Sequence, residues 1–268
     1  MKIDKSQFNT KSELLSYVKA HKKDLIEMKK HQIKRTDAIS FDLFDKTAQK
    51  QLTTNYEDNP ESGVIKRTIV GNTYNWMDSH DDVHLDGVFS KSIRDREGKI
   101  WHLHDHIHQI TAKVGTPDRI YEKDVLWKDL GISKSGVTQA LFMDSNIQKD
   151  KNSEIFKGYL NGEIDQHSVG MVYVKIDLAM DDDDEKDEYA NWQKYLPIIG
   201  NAEKALEQGY FFVVKEAKLI EISAVLEGSN ELTPTVSNIS QSSSKSSESL
   251  KSNESIDYKY LINNFKLN

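Results

Sequence analysis

The chain has 268 residues, 37% hydrophobic and 29% charged, with a formal net charge of −7 and no cysteine; that length holds one domain of about 150 to 200 residues plus appendages. The acidic balance argues against general binding to nucleic acid or anionic membranes, and the lack of cysteine removes disulfides, thiol nucleophiles and cysteine-ligated zinc. No apolar run approaches the roughly 20 residues of a membrane span, and Met1-Lys2-Ile3-Asp4-Lys5 opens no secretory signal, so an intracellular protein is expected.

The first predicted element is a helix. Thr10-Lys11-Ser12-Glu13 fits a capping box, and Leu14, Leu15, Val18, Leu25 and Ile26 follow near one stripe among many lysines. Such a helix either packs on the domain, mediates assembly or stands as a solvated extension. Polar residues 53–62, with Asn59-Pro60, read as a linker. The period then changes to two, in Val64-Ile65-Lys66-Arg67-Thr68-Ile69-Val70 and again in Thr73-Tyr74-Asn75-Trp76-Met77, where the main domain is expected to begin. This gives a helical N-terminal extension over 1–60, a main domain over 61–237 and a Ser-rich tail over 238–268.

Next comes Asp78-Ser79-His80-Asp81-Asp82-Val83-His84-Leu85-Asp86-Gly87-Val88-Phe89. Its acids and histidines admit metal ligation, but a hydrogen-bonded turn is the favoured reading. In Trp101-His102-Leu103-His104-Asp105-His106-Ile107-His108, a strand would set four histidines on one face and Trp101, Leu103, Asp105 and Ile107 on the other. A row of imidazoles suits zinc. It is similar to the His-x-His-x-Asp-His signature of metallo-β-lactamase-like hydrolases, yet Asp105 directly follows His104, so the spacing is off by one. Val114-Gly115-Thr116-Pro117 closes that region.

A short strand is expected over 139–143 and a helix over 154–159, stopped by Asn161-Gly162. Gln166-His167-Ser168-Val169-Gly170 then leads into an alternating strand. The acid run Asp181-Asp182-Asp183-Asp184-Glu185 lacks the glycine and glutamate of an EF-hand and reads as a solvated loop. Helices are expected over 187–195 and 201–207, then two strands over 210–214 and 219–226. In the second strand, Glu221 and Ser223 face one way, and Ile220, Ile222, Ala224 and Leu226 the other. Residues 238–255 have almost nothing to bury and read as disordered; 258–267 regain apolar character as a short docking element.

A serine hydroxyl needs a base to take its proton and a third group to hold the base. Ser168 lies between Gly162 and Gly170, where backbone can approach a substrate, but it lacks the Gly-x-Ser-x-Gly elbow of α/β-hydrolases. Four features in order resemble the prohead (capsid maturation) protease family of tailed phages, distant relatives of herpesvirus assemblin. These are the acidic loop ending in Gly87-Val88-Phe89, His108 followed seven residues later by Gly115, Ser168-Val169-Gly170 opening a strand, and Leu219-Ile220-Glu221-Ile222-Ser223 followed by Glu227-Gly228-Ser229-Asn230.

The resemblance spans about 64–236. It implies an α+β fold, a mostly antiparallel β-barrel surrounded by helices. It also implies a cofactor-free serine endopeptidase with Ser168 as nucleophile, His108 as general base and Glu221 as the orienting acid. His106 or His104 aligns instead if the intervening loop is longer. The implied substrates are capsid and scaffold segments inside an assembling prohead in the host cytoplasm, with self-association and no nucleic-acid or membrane partner; the N-terminal helix and the Ser-rich tail are then candidates for scaffold contact or self-cleavage. The competing readings are a non-enzymatic capsid or scaffold assembly protein and a metal-dependent hydrolase using His80, His84 and the row His102, His104, His106 and His108.

Overall fold

A computed structural model describes residues 3–34, 53–54 and 58–238; the expected disorder and docking element beyond residue 238 lie outside the described residues. Helix α1 covers Lys11–His31, with Thr10 Oγ1 accepting from the Glu13 amide at 3.1 Å. The return bond of the capping box is displaced by one residue, because the Glu13 carboxylate accepts from Asn9 at 2.8 Å. Strands follow at Thr53–Thr54 (β1), Val64–Thr73 (β2), Asp82–His84 (β3), Trp101–His104 (β4), Lys113–Leu126 (β5), Val137–Gln148 (β6), His167–Met180 (β7), Tyr210–Ala224 (β8) and Ser237–Asn238 (β9). The remaining helices are α2 (Ser90–Asp95), α3 (Ser153–Asn161), α4 (Lys186–Tyr195) and α5 (Ala202–Gln208).

The architecture is α+β. Seven strands form one mixed sheet in the order β2-β6-β5-β4-β8-β3, with β7 also paired to β8, while β1 and β9 form a separate parallel pair. The sheet is not closed into the implied barrel. Strand β8 is a branch point: β7 runs antiparallel along its whole length on one edge, and the other edge is shared in parallel by β3 at residues 212–214 and β4 at 221–224. The two strands expected over 210–226 are therefore one. The charged stretch Lys215-Glu216-Ala217-Lys218 does not end it, because register shifts opposite Tyr173 and Lys175 let both strands continue.

Helix α1 packs into this body. Its Leu14, Val18 and Leu25 belong to the same buried cluster as Met171, Tyr173, Leu219 and Ile222. The acid run is its ionic counterpart rather than a merely solvated loop: Lys19 reaches Asp182 at 2.9 Å, and Lys22 reaches Glu185 at 2.7 Å and Glu188 at 2.6 Å. Pairs this exposed each contribute only about 0–1 kcal/mol, so the apolar stripe carries the docking and the charges select its direction. The loop over 78–82 is the hydrogen-bonded turn, with Asp78 Oδ1 accepting from the His80 amide at 2.8 Å and the Asp82 amide at 2.9 Å. No helix among the described residues is long and apolar enough to cross a membrane.

Candidate active site

The centre of the sheet brings Ser168 and Glu221 onto one face. Across β7 and β8, Ser168 is in register with Ser223, and Gly170 with Glu221. Directly paired residues of an antiparallel ladder point the same way with Cβ atoms about 4.5–5.5 Å apart, so Ser168, Ser223 and Glu221 form one patch. The opposite face of these strands carries Val169 and Ile222, which enter the main apolar core. Gly170 is required by this packing: a Cβ there would lie 2.1 Å from Glu221 Oε1 and 2.8 Å from its carboxyl carbon. The glycine is the space in which the carboxylate sits.

The imidazole that meets this carboxylate belongs to His106. Its Nδ1 donates to Glu221 Oε1 at 2.6 Å. His108, taken as the base on its spacing from Gly115, is exposed two residues further along. The expected eight-residue strand stops at His104, and Asp105 and His106 both take left-handed backbone angles, with φ of 50° and 55°. That turn breaks the two-residue alternation and carries His106 to the face opposite His102. Asp and His are among the few residue types enriched at positive φ, which is the signal the strand-period reading overlooked. Gly115 serves a different histidine. A Cβ on it would fall 2.8 Å from Ser145 Oγ and 2.6 Å from the Asn146 carbonyl, and Ser145 is the partner of His102.

All three side chains are closed off from solvent: Ser168 is 5% exposed, His106 7% and Glu221 0%. Both carboxylate oxygens are engaged, since Ser223 Oγ donates to Oε2 at 2.7 Å. An ionised carboxylate only accepts, so the bond to Nδ1 fixes the proton there and leaves Nε2 as the basic nitrogen of the ring. On the neighbouring strand, Trp101 is in register with Glu221 and lines a cleft of about 380 Å³ with Ile100, Lys113, Arg119 and Ile120, whose lining does not include Ser168, His106 or Glu221. Lys113 Nζ sits 3.8 Å above the Trp101 ring.

Four other histidines have partners elsewhere. His167 Nδ1 donates to the Thr233 carbonyl at 2.9 Å, so its Nε2 accepts from the Tyr159 hydroxyl at 2.9 Å. That hydroxyl accepts from His102 Nε2 at 3.0 Å, leaving His102 Nδ1 to accept from Ser145 at 2.8 Å. One carbonyl thus sets the direction of the whole chain. Burial pushes His102 down to about 3, with His167 adding to it, and burial pushes His167 down to about 4 against its bond to Thr233; both are neutral imidazoles. His104 bonds Asp105 at 2.9 Å, and His84 lies 3.3 Å from the Tyr173 hydroxyl. Among the described residues no group of three or more His, Asp or Glu is placed to hold a metal ion. Comparison of the chain with protein-family models, with curated proteins and with solved structures gives no match.

Proposed function

We propose that the chain is a serine endopeptidase in which Ser168 is the nucleophile, His106 the general base and Glu221 the group that holds the imidazole. One observation carries this reading: the buried 2.6 Å bond from His106 Nδ1 to Glu221, on the face of the sheet that also bears Ser168. In the reaction, Ser168 Oγ gives its proton to His106 Nε2 as it attacks the peptide carbonyl. The imidazolium then protonates the leaving amine, and water hydrolyses the acyl-enzyme by the same steps. Glu221 offsets the positive charge that forms on the ring without taking the proton.

Peptide substrates, and capsid or scaffold segments among them, are supported by the acidic loop, Ser168-Val169-Gly170 and the Glu221 strand, the three ordered motifs resembling prohead proteases that stand once His106 replaces His108. The test is labelling with a fluorophosphonate probe, located by peptide mass spectrometry. Modification at Ser168, absent in Ser168→Ala, is the expected result; an unlabelled native chain would overturn it. Intact masses of wild type and Ser168→Ala, each co-expressed with its capsid and scaffold partners, then decide the substrate, because truncations confined to wild type identify the cleaved chains.

A further inference from the structure

The geometry points to Ser223 as a positioning residue that holds both the general base and its orienting acid, an inference that rests on the serine-hydrolase reading above. Its hydroxyl makes two bonds of different kinds. It donates to Glu221 Oε2 at 2.7 Å and accepts from the His106 backbone amide at 3.2 Å. Together with the bond from His106 Nδ1 to Oε1, these contacts close a ring that runs from the His106 backbone through Ser223 and Glu221 back to the His106 imidazole.

Each member of the ring is needed for a distinct reason. Glu221 and Ser223 are both 0% exposed, so removing one bond leaves a buried polar atom without water to replace it. His106 holds a left-handed φ of 55°, a conformation of higher energy for a residue with a Cβ, which persists only where surrounding contacts fix it. Two contacts anchor this turn to β8: the Asp105 amide to the Ala224 carbonyl at 2.9 Å, and the His106 amide to Ser223 Oγ. Only the second ties the backbone of the base to the same group that orients the acid. Loss of the hydroxyl removes one anchor of the turn and leaves one carboxylate oxygen unpaired, so the imidazole and the acid that orients it are both held less firmly.

The experiment uses the full chain and compares wild type, Ser223→Ala, Ser223→Thr and Ser223→Cys by two readouts. The first is the rate of fluorophosphonate labelling as a function of probe concentration. The second is the proton NMR signal of His106 Nδ1–H, assigned by its loss in His106→Gln. Ser223→Ala is expected to lower the limiting labelling rate about tenfold with half-saturation unchanged, and to shift or broaden the imidazole signal. Ser223→Thr, which keeps a hydroxyl, is expected to restore both.

An alanine variant with wild-type rate and an unmoved signal would overturn the assignment. If the alanine variant does not fold, Ser223→Cys takes its place; its weak S–H donor is expected to give an intermediate rate, and a wild-type rate would overturn the assignment equally. A native chain that never labels, yet whose imidazole signal responds to Ser223→Ala and recovers in Ser223→Thr, would sink the hydrolase reading while leaving Ser223 as the clamp.

Discussion

Two of the molecule's buried carboxylates, Glu221 and Asp82, face opposite kinds of partner. Glu221 faces an imidazole and a hydroxyl. Asp82 faces two ammonium groups, Lys29 Nζ at 2.5 Å and Lys34 Nζ at 3.5 Å, and also accepts from the Tyr173 hydroxyl at 2.6 Å. Burial alone would raise Asp82, but the two lysines outweigh it and hold the carboxyl well below its ordinary range. A carboxylate matched by two ammonium groups is held in its ionised state, and here it pins α1 and the segment after it onto β3 and β7. A carboxylate matched by an imidazole can orient a group that exchanges its own proton. The backbone differs in the same sense: Lys29 sits on a regular helix, whereas His106 is held at positive φ.

The comparison breaks most sharply at the base. His106→Ala is expected to lower Ser168 labelling by about a thousandfold or more, with a lower melting temperature as well, because Glu221 Oε1 is left buried and unpaired. His108→Ala, on an exposed ring, should leave the rate within about twofold. Equal losses in both variants would return the assignment to spacing alone. At the structural cluster the expectation reverses. Asp82→Ala leaves two buried ammonium groups facing each other and should cost about 3–5 kcal/mol in urea unfolding, while any folded fraction labels normally. A loss below about 1 kcal/mol would show that the cluster is not what holds α1. Gly170→Ala sits between these extremes. Its Cβ must displace the Glu221 carboxylate, which has no exposed route away, so labelling should fall about a hundredfold and the His106 Nδ1–H signal should move.

How much of this was legible in the sequence follows from range. The α1 cap, the α3 stop at Gly162 and the Asp78 turn depend on residues a few positions apart and were readable. Ser168 and Glu221 stood out because each sits on a strand with a clear face. His106 was legible only as an alternative to His108, because a period of two was applied beyond His104, where Asp105 had already turned the chain. The Lys29–Asp82 cluster was invisible for a different reason. A lysine in a lysine-rich helix looks solvated, and only the fold brings it to a carboxylate 53 residues away. The open sheet was likewise hidden, because strand branching at β8 is a matter of pairing rather than of pattern.

A change of pH separates the two faces of β4 and β7. His102 and His167, behind the candidate site, are held neutral at values of about 3 and about 4, below the ordinary 6.5 of an unfolded histidine. The unfolded chain therefore binds more protons as pH falls through 6.5. The stability these rings contribute is complete above 6.5 and is lost as pH drops toward 4, at about 1.4 kcal/mol per pH unit for each ring. His84, also pushed down by burial, acts in the same direction. Asp82 does not interfere in this window, because its lowered value makes its contribution complete above 3.8 and lost only below it. Urea unfolding at pH 7, 6 and 5 should thus show a plateau followed by a decline. Replacing both rings, in His102→Gln with His167→Gln, should flatten the decline relative to wild type even though the double variant is less stable at pH 7. An equal slope in both chains would mean that the hydrogen-bond chain running from Ser145 to Thr233 carries a proton in the folded state, and that the direction assigned to it is wrong.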